Sequence, residues 1–197
     1  MAAMSSFELW VVPLIVAIVA IFAFGGFKAR AMLIVLGIVV GVSDGLVAAP
    51  LKKIVQRPRP GDVLANVRRV DLARTTPRFM ALFQEAKTRM SRPRSTASRG
   101  RSMPSAHTMD NFCAAIVLAF FYRRIGWAWF IVAATVGYSR IYTGAHWPSD
   151  IGISILLAFG VALLMLPLCE LLWRAIGTRA MPQTFARHPS LLGEARA

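Results

Sequence analysis

Five long apolar runs, parted by polar stretches, set the pattern of this chain. They extend from about Leu9 to Phe27, Met32 to Leu51, Ser105 to Tyr122, Trp127 to Tyr142 and Asp150 to Trp173. An apolar helix needs about 20 residues to cross a hydrocarbon core about 30 Å thick, and each run meets or approaches that length. The pattern predicts an all-α, polytopic transmembrane bundle of five spans. Trp10, Trp127, Trp129, Trp147 and Trp173 all fall near the ends of these runs. Amphipathic rings favour that level, where membrane meets water.

The polar stretch between the second and third runs, Lys52 to Met103, has its own pattern. Thr76-Pro77 reads as an N-cap followed by proline at the first helical position. Phe79, Leu82, Phe83, Ala86 and Met90 then recur at helical spacing, with Arg78, Lys87 and Arg89 off the stripe. This predicts an amphipathic helix over Pro77 to Met90, lying on the membrane surface or against the protein's own outer face. Ser91 to Arg101 is rich in Ser, Arg and Gly without periodicity and reads as a mobile linker. The expected organisation is one domain over residues 1–197, with 61–103 as an extramembrane loop inside it. The tail after Arg174 reads as a short solvated or surface-lying end.

Composition agrees. The chain is 56% hydrophobic, above the 45–50% or so of soluble domains. Its formal charge is +14, which suits lipid headgroups or an anionic substrate. Nucleic acid is the weaker reading, because no basic module interleaved with aromatics is visible. Met1 to Phe7 carries no Lys or Arg, so the first run lacks the basic n-region of a secretory signal and is expected to be retained. Cys113 and Cys169 lie in apolar runs and read as packing residues. Asp44 is the one acidic residue deep in a span, two helical turns before Lys52. A carboxylate there faces the bundle interior, as a structural hydrogen-bonding group or in support of the basic site.

Three polar clusters interrupt the apolar pattern. Lys52 to Pro60 (Lys-Lys-Ile-Val-Gln-Arg-Pro-Arg-Pro) closes the second run, and Pro104-Ser105-Ala106-His107 opens the third. Ser139-Arg140, His146 and Asp150 join the fourth run to the fifth. Counting spans puts all three at one membrane face. There Lys52, Arg59 and Arg140 supply cations, arginine as a bidentate fork and lysine as a point charge. Pro104 and Pro148 suit first helical turns, so two helix N-termini can aim free N–H groups at an anion. Asp150, in the first turn after His146, can hold one ring nitrogen and leave the other to attack phosphorus. His107 can protonate the leaving oxygen. A lone His-x3-Asp is weak and Arg-Pro flanks are often only anchors; the specificity lies in the three clusters together. With His188 as the one remaining histidine, a metal on His146 and Asp150 lacks further ligands, so neither metal nor cofactor is expected.

In this order, Lys-x6-Arg-Pro, Pro-Ser-x-His and Ser-Arg-x5-His-x3-Asp resemble the signature of the type 2 phosphatidic acid phosphatase superfamily. The resemblance spans roughly residues 30 to 165. It implies a helical bundle, a covalent phosphohistidine on His146, His107 as general acid and Asp150 as the partner of His146. It implies Lys52, Arg59, Ser105 and Arg140 as phosphate binders, and Ser139 and the backbone N–H of Ala106 join that set here. Two departures stand out. Ala106 occupies the usual glycine position of the middle motif, and membrane members commonly have six spans where five are counted here. The resemblance implies hydrolysis of a lipid phosphate or diphosphate, first a polyprenyl diphosphate such as undecaprenyl diphosphate. Phosphatidic acid, phosphatidylglycerol phosphate and lipid A phosphates follow. The same superfamily includes vanadium-dependent haloperoxidases, which are mostly soluble, and a non-catalytic lipid-phosphate binder or transporter is the remaining reading. The expected partners are the bilayer and the lipid substrate, with oligomeric state left open.

The expected location is a bacterial inner or plasma membrane. Glu8 before the first run and Lys28 and Arg30 after it favour an external N-terminus and an active-site face on the periplasm or exterior. The many basic residues between Lys52 and Arg101 count against that orientation.

Overall fold

The computed structural model describes residues 7–71, 75, 80, 84, 87–92 and 100–192. Helix α1 (Phe7–Phe24) is followed after two residues by α2 (Phe27–Val42), a π-helical turn (Ser43–Ala48) and α3 (Ala49–Val55). A short α4 (Pro60–Val63) and two strands, β1 (Arg68–Asp71) and β2 (Lys87–Met90), make up the described part of the long loop. Helices α5 (Ala106–Phe121), α6 (Arg123–Tyr142), α7 (Pro148–Ala180) and α8 (Pro182–Arg187) complete the chain.

Each of the five apolar runs forms a helix. The C-terminal bound moves outward most for the last, because the apolar run ends near Trp173 whereas the helix continues through Arg174 to Ala180 despite Gly177 and Thr178. By length and composition two stretches among the described residues suffice to cross a membrane, the apolar helical part of Phe27–Val63 and α7.

Helix α5 is the centre of the bundle and packs against α2, α6 and α7. Its Met109, Cys113 and Val117 are fully buried against Val35 and Val39 of α2 and Ala158, Ala162 and Leu166 of α7. Both cysteines are buried free thiols, as read from their apolar surroundings. Helix α1 stands apart, packed on α2 with Val12, Ile15, Val16 and Val19 exposed. Leu156, Leu163, Leu164 and Leu171 of α7 and Ile131 of α6 also face outward. Contiguous apolar surface of this kind marks a surface made for lipid or a partner rather than water.

The long loop departs from expectation. Lys87 to Met90, the end of the anticipated amphipathic helix, is a strand. It pairs antiparallel with β1, Val70 opposite Thr88 and Arg68 opposite Met90. A 3.6-residue stripe does not report a partner strand almost twenty residues away, and the β-branched Val70 and Thr88 favour the pleated surface. Residues 76–79, 81–83 and 85–86, which carry the rest of that anticipated helix, lie outside the described residues, as do 93–99 of the anticipated mobile linker. The ends of the linker are tied down. Ser91 is buried, its hydroxyl donating to the Leu64 carbonyl (2.7 Å) and accepting from the Val67 N–H (2.9 Å).

Candidate active site

The three polar clusters meet at one end of the bundle, where α3 ends, α5 and α7 begin and α6 ends. Local chemistry fixes each approach. After Tyr142 the chain turns back through Gly144, whose φ of +66° is natural for glycine. A Cβ there would sit 2.6 Å from Val67 Cγ1. The turn lets the Arg140 carbonyl accept from both the Ala145 N–H (3.1 Å) and the His146 N–H (3.2 Å). Arg140 and His146 are therefore tied through one peptide group. Pro148 then starts α7 at its first turn, as expected from its fixed φ. Pro104 does not start α5: Ser105 is the N-cap and Ala106 the first helical residue. Ser105 holds the cap position with an extended backbone and without a side-chain capping bond, so the proline lies one residue outside the helix.

From the other side, the chain after α3 leaves through Gln56 in the left-handed region (φ 47°) and runs alongside residues 100–102. The Gly100 N–H donates to the Gln56 carbonyl and the Ser102 N–H to the Arg57 carbonyl, both at 2.9 Å. The approach needs a glycine, since a Cβ on Gly100 would lie 2.5 Å from Pro58 Cα. This pairing delivers Ser102, fully buried, to the floor of the site.

His146 is buried, and its Nδ1 donates to the Ser102 carbonyl at 2.5 Å. Asp150, expected as its direct partner, lies 3.9 Å from Nδ1. The carboxylate is occupied elsewhere. Oδ1 accepts from Arg57 Nη1 (2.7 Å), and Oδ2 accepts from the Ser102 hydroxyl (2.5 Å) and the Trp147 N–H (3.0 Å). With Nδ1 carrying the proton, Nε2 keeps its lone pair. Burial, then the charge of Arg140, pushes the His146 imidazole down to about 4, so the ring is neutral at physiological pH.

The cations gather on the histidines. Arg140, Lys52 and Arg59 act electrostatically on His107, and Arg140 and Arg59 on His146. Arg140 Nε is buried without a hydrogen-bond partner among the described residues. A buried guanidinium donor left open costs stability unless an acceptor arrives. Lys52, Lys53, Gln56, Gly100 and Arg101 line an adjoining cavity of about 280 Å³. Asp44, expected to face the bundle interior, is instead exposed on the π turn and acts on His107 only through its charge.

The middle motif divides. Ser105 is buried with its N–H donating to Ser154 Oγ (2.8 Å) and its Oγ accepting from Thr108 (3.0 Å). Ala106 and His107, at the start of α5, keep amides that have no intrahelical acceptor. Ala106 has no positive φ, so the missing glycine causes no strain there. Ser139 is buried and its hydroxyl donates to the Val136 carbonyl (2.7 Å), which commits it to its own helix. Reading the sequence missed Ser102, Ser154 and the contact of Arg57 with Asp150. Arg57 and Ser154 had a signal, a cation beside the phosphate cluster and an i+4 position from Asp150. Ser102 had none.

A model of the PAP2 superfamily matches residues 28–174. Over 56 residues the chain is 39% identical to the bacitracin transport permease protein BcrC of Bacillus licheniformis, covering 28% of each chain. Over 71 residues it is 35% identical to the undecaprenyl-diphosphatase BcrC of Bacillus subtilis (strain 168), covering 36% of this chain and 37% of that protein. The alignments thus reach well under half the length of these curated relatives. The crystal structure of Aquifex aeolicus LpxE matches over 84% of this chain and 81% of its own, with a TM-score of 0.54 and 22% identity. At that identity the fold is what the two share.

Proposed function

This chain belongs to the PAP2 superfamily, and from that premise we propose that it is an integral membrane phosphatase acting on a lipid phosphate or diphosphate through His146. The observation that carries the reading is the pairing of two open groups on one turn. His146 offers Nε2 because its Nδ1 is bonded to Ser102, and Arg140 offers a buried Nε that has no partner among the described residues.

The chemistry follows. Phosphate oxygens settle on Arg140, Arg59, Lys52 and the amides at the start of α5, where charge neutralisation and positioning do most of the work. The lone pair of His146 Nε2 forms a bond to phosphorus as the bond to the leaving oxygen breaks. His107 gives that oxygen its proton. Water then attacks the phosphohistidine, His107 takes the water's proton, and phosphate leaves with His146 restored. Asp150 offsets the positive charge that the phosphorylated ring carries. The donor set supports a route without metal: among the described residues no three of His, Cys, Asp and Glu cluster, and the Asp150 oxygens are bonded to Arg57, Ser102 and Trp147.

The five apolar helices α1, α2–α3, α5, α6 and α7 are read as spans, with the site at one membrane face and the periplasm or exterior beyond it. A polyprenyl diphosphate is the favoured substrate. The partial likeness to an undecaprenyl-diphosphatase and the basic cavity beside Lys52, with room and charge for a second phosphate, both support it. Its chain would leave between helices into the bilayer.

A phosphate-release screen in detergent across undecaprenyl diphosphate, phosphatidic acid, phosphatidylglycerol phosphate and lipid A tests the reading, with His146→Ala as control. Turnover by wild type and none by the variant is expected, with the highest kcat/KM on the diphosphate. No release from any lipid phosphate overturns the phosphatase. A preference for phosphatidic acid overturns only the choice of substrate. Orientation is tested separately by Arg92→Cys, an exposed position, labelled with an impermeant thiol reagent in intact cells. Labelling is expected, and protection reverses the topology.

A further inference from the structure

Asp150 and His146 face each other at 3.9 Å, yet no hydrogen bond joins them. What lies between is a single residue, Ser102. Its hydroxyl donates to Asp150 Oδ2 at 2.5 Å, and its carbonyl accepts from His146 Nδ1 at 2.5 Å. Both contacts are buried, and Ser102 is brought to Asp150 and His146 from more than forty residues away in sequence. We propose that Ser102 is the positioning residue of the nucleophile, transmitting the anchorage of Asp150 to the His146 ring through its own hydroxyl and carbonyl. The proposal rests on the reading of His146 as nucleophile.

The surroundings hold Ser102 from three sides. Its N–H donates to the Arg57 carbonyl at 2.9 Å. The Arg57 side chain reaches Asp150 Oδ1 at 2.7 Å and Ser149 Oγ at 2.8 Å, so the same arginine grips both ends of the Ser102–Asp150 link. Trp147 closes the ring. Its indole N–H donates to the Pro58 carbonyl at 2.9 Å, and the Arg57 guanidinium lies over it, 5.2 Å from the ring centroid. Ser102 therefore sits in a closed loop of contacts running Arg57, Asp150, Trp147 and Pro58.

The Ser102 carbonyl only accepts, so it enforces the tautomer with the proton on Nδ1 and the lone pair on Nε2, as an ionised carboxylate in its place would. Phosphorylation at Nε2 makes the ring cationic and strengthens the Nδ1–H bond, so the relay favours the intermediate over the resting state. Groups that orient a reactive imidazole from behind are worth roughly ten- to a hundredfold in activity where they have been removed from metal-bound histidines, and the same order is expected here.

Ser102→Ala keeps the carbonyl and deletes the hydroxyl. It should lower kcat about ten- to a hundredfold while KM stays within about threefold, because no substrate atom is lost. Combined with Asp150→Asn it should add little to the loss caused by Asp150→Asn alone, since both act along one path. Independent, multiplying effects, or a raised KM with kcat unchanged, overturn the proposal. If Ser102→Ala does not fold, 15N NMR of the wild-type histidines in detergent reads the relay without turnover. His146 should show the Nδ1–H tautomer, with slow exchange of that proton that quickens in Asp150→Asn. The opposite tautomer overturns the relay. A wild type inactive on every lipid phosphate would sink the phosphatase reading, and the NMR result would still decide the proposal.

Discussion

One end of the bundle holds His146, Arg140 and Trp147; the other holds His188, Arg187 and Trp173. Each end has an indole N–H donating to a backbone carbonyl at 2.9 Å, Trp147 to Pro58 and Trp173 to His188. Each has a basic cavity of about 280 Å³, the far one lined by Phe27, Arg30, Gln183, Thr184, Arg187 and His188. The difference lies in what surrounds the imidazole. His188 is exposed and stacks on Phe27, centroids 4.2 Å apart and planes 3° from parallel. His146 is buried, hydrogen-bonded at Nδ1 and backed by a carboxylate whose own bonds are filled. Residue types alone do not distinguish the proposed reactive end; burial and the Nδ1 hydrogen bond of its imidazole do.

The sharpest break of this comparison is at the histidines. His146→Ala should abolish turnover, whereas His188→Ala should leave kcat within about twofold, since surface changes away from special features cost little. Equal losses would mean that the two ends are not chemically distinct. Next comes the arginine pair. Arg140→Ala should lower kcat about a hundred- to a thousandfold, the usual loss for one donor that meets developing charge. Arg187→Ala should change it by less than about twofold.

A smaller test is titration. His146 is held near 4, chiefly by burial and then by Arg140. Its folded value lies below the ordinary one, so the neutral form is favoured, and acid protonates the ring only as pH falls through about 4. By NMR the His146 resonance should titrate there. Arg140→Ala should move the midpoint up, because a repelling cation is gone, and Asp150→Asn should move it down. A wild-type midpoint near the ordinary histidine value would mean that burial and Arg140 do not hold the His146 ring neutral. The smallest expected effect is that of EDTA, which should leave the rate unchanged. Inhibition reversed by added Mg²⁺ or Zn²⁺ would replace the mechanism.

The parts legible in the sequence were those written in one-dimensional pattern. The apolar runs gave the helices, and counting them brought Lys52, His107, Arg140 and His146 to one end before any contact was seen. What escaped was set by tertiary contacts. Ser102 lies in a segment without periodicity, and its importance comes from Asp150 and His146, more than forty residues away. The stripe ending at Met90 suggested helix, while pairing with Arg68–Asp71 made its last turn a strand. Ser139 fits the phosphate motif by position, but its hydroxyl is spent on Val136. The Asp150–His146 spacing was legible as proximity, and the serine inserted between them was not.

Helix α7 has 33 residues, and at 1.5 Å per residue that is about 50 Å, well beyond a hydrocarbon thickness of about 30 Å. Its first turn carries Asp150 and its last stretch packs on α8 beside Trp173 and His188. A rod longer than the layer it crosses must tilt or protrude. In the proposed bilayer frame α7 is a gauge of membrane thickness with the nucleophile fixed at one tip. Lipids with longer chains stand the rod upright and draw His146 toward the hydrocarbon; shorter ones lay it over and lift the pocket into the headgroup layer. Turnover in vesicles should therefore follow acyl chain length even when the headgroup presented to the pocket is the same.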